Sequence, residues 1–199
     1  MYDYLDKVLK RLIRQIYQAF QQYRAMPFDE LNQAETMKVY QLYEELEALN
    51  YDAFLDIAEY YYAMYVTDGR TFTEEQLREI LRTPSLVMRY AYDAEVIRKR
   101  DRLVEAVIAT SGSVEEIEKA MRYWTQMTGW FGVEVADAAV KQGMTDTGIQ
   151  FVLWHSEHDD RTCRYCMKMD GKVFHVSSIP KKPHPGCRCW ISAFKRSKA

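Results

Sequence analysis

Apolar residues recur every three or four positions from the start of the chain: Leu5, Val8, Leu9, Leu12, Ile13, Ile16, Tyr17, Phe20 and Tyr23. Lys7, Lys10, Arg11, Arg14 and Gln18 occupy the opposite face, so the pattern predicts an amphipathic helix that Pro27 ends. Asp29 suits the cap of a second helix through Leu31, Val39, Leu42, Tyr43 and Leu46. Asn50 is an expected interruption before Phe54, Ile57, Tyr61 and Tyr65, and Asp68-Gly69 marks a stop. Thr73-Glu74-Glu75-Gln76 reads as a capping box opening a short helix that Pro84 closes. A longer helix is expected from about Leu86 to Ile108. Ser111-Gly112-Ser113 breaks it, and Ser113 with Glu116 forms another capping box. The next helix runs through Ile117, Met121, Trp124, Met127, Val133 and Val140, with Gly143 as its expected end. The tyrosine cluster Tyr60-Tyr61-Tyr62 with Tyr65 suits either helix packing or a partner surface.

The pattern changes at Ile149. Ile149–Trp154 reads as a strand, and the turn signal Asp170-Gly171 places a second over Lys172–Val176. The expected fold class is therefore mainly α: a multi-helix N-terminal body followed by a small α+β C-terminal module with a β-hairpin and a Cys/His cluster. Two regions are expected, a helical one over 1–110 and a second over 113–199 that carries the Cys/His-rich end.

Charge and composition sharpen this division. Residues 1–150 hold 17 Lys/Arg against 25 Asp/Glu, whereas residues 151–199 hold 10 against 4. The net charge of −2 hides the asymmetry and exerts no global pull toward nucleic acid or acidic lipid. No apolar run approaches the ~18 residues a membrane span needs, and the opening MYDYLDKVLKRLIRQ carries charges where a secretory signal needs an apolar stretch. No membrane partner is expected.

All four cysteines and all four histidines fall in the last 49 residues. Between Ser156 and Cys189 apolar side chains are too sparse to offset an ordering entropy of roughly 1–2 kcal/mol per residue. A cross-link or packing against the helices must hold this stretch. Cys163-x2-Cys166 and His184-x2-Cys187 have the spacing of paired zinc ligands, with Cys189 two residues on. Cys163, Cys166 and Cys187 lead the candidates, and His184 and Cys189 compete for the fourth position. Disulfides or reduced thiols in a packed hairpin remain alternatives at this point.

Enzymatic patterns fit less well. His155-Ser-Glu157 before Cys163-x2-Cys166 imitates the zinc-deaminase pattern, but Thr162 stands where that pattern has proline and the gap is too short for two separate helices. His155, His158, Asp159 and Asp160 form a polar cluster more typical of a solvated loop than of a nuclease. A small zinc-dependent enzyme acting on nucleic acid, turning over through Glu157 or a nearby histidine, is the alternative function class.

The ordered run Trp154, Asp160-Arg161-Thr162-Cys163-x2-Cys166, Asp170-Gly171-Lys172-Val173-Phe174, Pro180, Pro183-His184-Pro185-x-Cys187-Arg188-Cys189 resembles the phage head-morphogenesis, or minor head protein, family. That group includes the minor head protein of phage Mu. Weaker similarity extends through Val96–Leu103 and Met121–Gly143, and the chain is shorter than many members. The resemblance implies a non-enzymatic virion component, present in few copies inside the head near the portal and made in the host cytoplasm during assembly. Its implied partners are the portal protein and other head proteins, with a part in procapsid assembly and in DNA packaging or ejection. The motif positions Asp160, Arg161, Asp170, Gly171, Pro185 and Arg188 carry over with a structural role. The basic end offers Lys181, Lys182, Lys195 and Arg196 as candidate nucleic-acid contacts, against the plainer reading that they solubilise a terminus.

Overall fold

A computed structural model describes residues 2–25, 33–110 and 114–194. Pro27, Asp29, Ser113, Lys195 and Arg196, which figure in the sequence reading, lie outside the described residues. The chain is mainly helical, with six helices and a small three-stranded antiparallel sheet near the C-terminal end among those residues: α1 (Asp3–Ala25), α2 (Gln33–Ala63), α3 (Glu74–Arg82), α4 (Tyr92–Thr110), α5 (Val114–Asp146), β1 (Phe151–His155), α6 (Arg164–Met169), β2 (Val173–His175) and β3 (Trp190–Ala193). No helix of the described residues is long and apolar enough to cross a membrane.

The body is built on α2 and α5, each long enough to span roughly 45–50 Å at 1.5 Å per residue. They run parallel, with Tyr43 edge-on to Trp124 near one end and Gly143 against Tyr62 near the other. α1 and α4 pack antiparallel to both. The faces that meet are those the three-and-four periodicity selects: Leu5, Leu12, Ile16 and Phe20 of α1 are buried, as are Val39, Leu46, Phe54 and Ile57 of α2. α5 buries its apolar face along α1 and α2.

Three local expectations are corrected. Asn50 does not interrupt α2. Its buried side chain donates to Tyr92 Oη at 2.8 Å and to Thr128 Oγ1 at 2.9 Å, so partners on α4 and α5 stabilise a residue that a lone helix disfavours. α4 starts at Tyr92 rather than Leu86. Ser85 Oγ accepts from the Val87 and Met88 amides and Arg89 adopts φ +67°, which holds residues 85–91 in a turn. Gly143 does not end α5. It lies inside the helix where a Cβ would approach Tyr62 O to 3.0 Å, so it is a close-approach glycine, and Gly148 with φ +71° follows the true end. Tyr61 and Tyr62 are buried, and Tyr60, 44% exposed, stacks on Tyr4; this cluster packs helices. The capping box at Thr73 and Gln76 forms as read.

The sheet order is β2-β1-β3, with β1 central. β1 and β2 pair antiparallel across an excursion that contains α6, and Gly171, at φ +73°, donates its amide to Trp154 O at 2.9 Å to enter β2. β2 falls within the span read from the sequence, and β1 overlaps its span but runs on to His155. β3 was not foreseen; it pairs with β1 through Trp154 opposite Ile191 and His155 opposite Trp190.

A buried three-thiol cluster as candidate metal centre

Three elements bring the sulfurs together. Cys166 sits in α6, one turn after Cys163, whose sulfur caps that helix by accepting the Cys166 amide at 3.5 Å. Cys187 and Cys189 lie on the approach to β3, buried on either side of the half-exposed Arg188. The Sγ atoms of Cys166, Cys187 and Cys189 all lie within 4.8 Å of one another, and Cys166 and Cys187 are 3.4 Å apart. Sulfurs sharing a tetrahedral zinc with ~2.3 Å bonds would stand roughly 3.8 Å apart.

Donor chemistry and surroundings suit a soft or borderline cation. Burial pushes the Cys166 thiol far above its ordinary range, and burial first among causes raises Cys189 to about 11. A bound cation inverts this order by drawing the protons from coordinating thiols. The buried Trp154 Nε1 makes no hydrogen bond, and the indole opposes in part the rise that burial causes in the Cys189 thiol. Cys163 differs from Cys166 and Cys189. Burial would raise it, but hydrogen bonds from the Cys166 amide, the Cys166 side chain and His184 outweigh that and bring it to about 7.

Cys189, rather than His184, lies close to Cys166 and Cys187. His184 is exposed, its Nδ1 faces Pro185 O at 3.1 Å, and it stands outside the three-thiol group beside Cys163. Cys163 itself, half-exposed, falls outside the group that meets the mutual distance, although it was a leading candidate. Alternation along the chain could have revealed this arrangement, because residues two apart in an extended run face the same side.

Asp170, Gly171 and Arg188 make local structural contacts. Asp170 caps the end of α6, accepting the Ser156 amide at 2.7 Å and facing His158 Nε2 at 2.9 Å; the Ser156 amide chiefly holds its carboxyl below the usual range. Arg188 bonds Asp159 Oδ1 at 2.6 Å and holds that carboxyl far down. Asp160 and Arg161 are exposed. Beside the half-buried Pro185, Gly186 has φ +66° and packs so closely under Trp130 that a Cβ would come within 3.1 Å of the ring.

Lys182 is not free to contact nucleic acid. It pairs with Asp137 Oδ2 at 2.6 Å and donates to Tyr2 Oη at 2.8 Å and Cys187 O at 3.0 Å, with its side chain only 12% exposed. Tyr2 Oη in turn has Asp137 Oδ1 at 2.7 Å and Cys189 O at 3.1 Å as acceptors for its one proton. This clamp, which sequence spacing does not reveal, ties both cysteine carbonyls to α1 and α5. Lys181 is exposed.

Glu157 is exposed, and His155 stacks on Trp190 at 3.9 Å with its Nε2 2.7 Å from Ser192 Oγ. Beside the cluster, between residues 79–87, α5 and the module, lies a cleft of about 430 Å³. Its wall carries both signs, Glu79 and Glu134 against Lys141 and Lys181, so it does not select a ligand by charge. Comparison with protein-family models, with curated proteins and with solved structures found no match.

Proposed function

We propose that this protein is a non-enzymatic assembly component of a phage head, of the minor head protein type. In this reading Cys166, Cys187, Cys189 and Cys163 hold a structural zinc, and the helical body meets the portal and other head proteins. The observation that carries the reading is the enclosure of three thiols at the junction between module and body, with the polar groups around them engaged in caps and clamps. A turnover site needs a vacant ligand position and an acid or base beside it; Glu157, the one carboxylate proposed for that duty, points to solvent. The ordered motif from Trp154 to Cys189 supports the family, and its Asp170, Gly171 and Arg188 serve as fold-defining contacts.

Two measurements test it. The protein should co-purify with the portal protein from assembled particles at a few copies per particle; its absence from purified particles would refute a virion role. Glu157→Gln should leave particle yield and infectivity within about twofold of the parent, since exposed substitutions away from structural contacts shift stability by about 0.5 kcal/mol or less. A collapse of nuclease or deaminase turnover on that substitution would instead establish the enzyme.

A further inference from the structure

A second site lies in the helical body. α2, α4 and α5 enclose a small pocket lined by Tyr43, Lys99, Arg102, Leu103, Glu116, Lys119, Ala120 and Tyr123, with a volume of about 100 Å³. Its floor is aromatic and aliphatic, since Tyr43 and Leu103 are buried. Its polar lining is unbalanced, with three cations and one carboxylate. We propose that this pocket binds a phosphate group, held by Lys99, Arg102 and Lys119.

The charges nearby are only partly neutralised from within. Glu95, the buried acid behind the pocket, is already engaged by Arg98 through two bonds of 2.6 and 2.7 Å and by the Tyr123 hydroxyl. It reaches Lys99 Nζ only at 3.9 Å. Lys99 lies 3.4 Å from the centre of the Tyr123 ring with its side chain 18% exposed. Burial lowers its pKa, with Arg98, Arg102 and Lys119 adding like-charge repulsion. Arg102 has no ion-pair partner among the described residues, and Lys119 has Glu116 at 3.6 Å. An anion at their centre relieves this repulsion and gains charge-assisted hydrogen bonds from an arginine and two ammonium groups. The space, about 100 Å³, is small enough that any ester group attached to a bound phosphate must project outward.

Neither the thiol cluster nor the family resemblance enters this inference. The test is a titration of the full chain with inorganic phosphate at constant ionic strength, with chloride as the matched anion, followed by backbone amide shifts. A saturable response at residues 99–103 and 116–123 is expected. The double variant R102Q/K119Q, altered at exposed positions, should weaken binding at least about tenfold, while Glu116→Gln should tighten it about threefold, because one lost charge-assisted bond or removed repulsion is worth that order. Thymidine 5′-monophosphate supplies the second arm. Tighter binding than inorganic phosphate assigns the pocket to an esterified phosphate, and equal binding assigns it to the free ion. A response no different from chloride, or one unchanged in the double variant, overturns the proposal.

Discussion

Cys166→Ser should detach the C-terminal module from an otherwise folded body. Under reducing conditions the parent protein, purified without chelator, should carry about one zinc per chain, and the variant should carry far less, since structural sites close with four ligands. In hydrogen exchange, the amides of β1, β2 and β3 should lose protection while those of α1, α2 and α5 keep it. The asymmetry follows from where the apolar contacts lie. The helices bury long runs of Leu, Ile, Val, Phe and Tyr against one another, whereas the module's own core is little more than Val152, Trp154, Val176 and Ile191 with three cysteines. A structural zinc supplies on the order of 10 kcal/mol of apparent folding free energy, more than so small a core provides. Serine keeps the size of the residue but forms a poor zinc ligand, so the loss reads ligation rather than packing. A parent protein free of metal, with protected β1 and β3 amides and four reduced thiols, would show that packing and the clamp suffice, and the metal reading would fall.

How much of this was visible in the sequence depends on how far apart the cooperating residues lie. The Thr73 capping box is legible because its two bonds join residues three apart, and the helix faces are legible because each is written in its own periodicity. Asn50 was read as a break because its preference is local and its partners are not: Tyr92 and Thr128 come from other helices. β3 was missed for the same reason. Trp190-Ile-Ser-Ala is too short to declare itself, and the strand that recruits it, β1, lies some 36 residues earlier. The cysteines were found by spacing, but spacing treats His184 and Cys189 alike. The fold separates them, turning Cys187 and Cys189 inward, Arg188 toward Asp159 and His184 toward solvent. The charge pattern misled in one respect. Lys181 and Lys182 are neighbours in a basic segment, yet the second is drawn inward by an acid on α5.

That inward lysine sets the other large effect. Asp137→Ala should destabilise the protein by about 2–3 kcal/mol, lowering the midpoint of thermal unfolding by on the order of 5–10 °C for a chain of this size. The substitution leaves the Lys182 ammonium, 12% exposed, without its carboxylate, and removes the nearer acceptor of the Tyr2 hydroxyl. Lys182→Met should cost less. Methionine fills the same channel without a charge, and Asp137, 27% exposed, keeps the Tyr2 hydroxyl and partial access to water. The order of the two effects is therefore diagnostic: a pair that merely decorates the surface would give two small and equal losses. The double variant D137A/K182M should recover part of the single loss, because no buried charge is then left unpaired. Tyr2→Phe completes the picture. It deprives the Lys182 ammonium of the Tyr2 oxygen and leaves the Cys189 carbonyl without that hydroxyl, so it should loosen the cysteine loop, raising exchange at residues 187–191 before it affects the helices. If all four variants melt with the parent and exchange alike at that loop, the clamp contributes nothing, and the cluster alone positions the module.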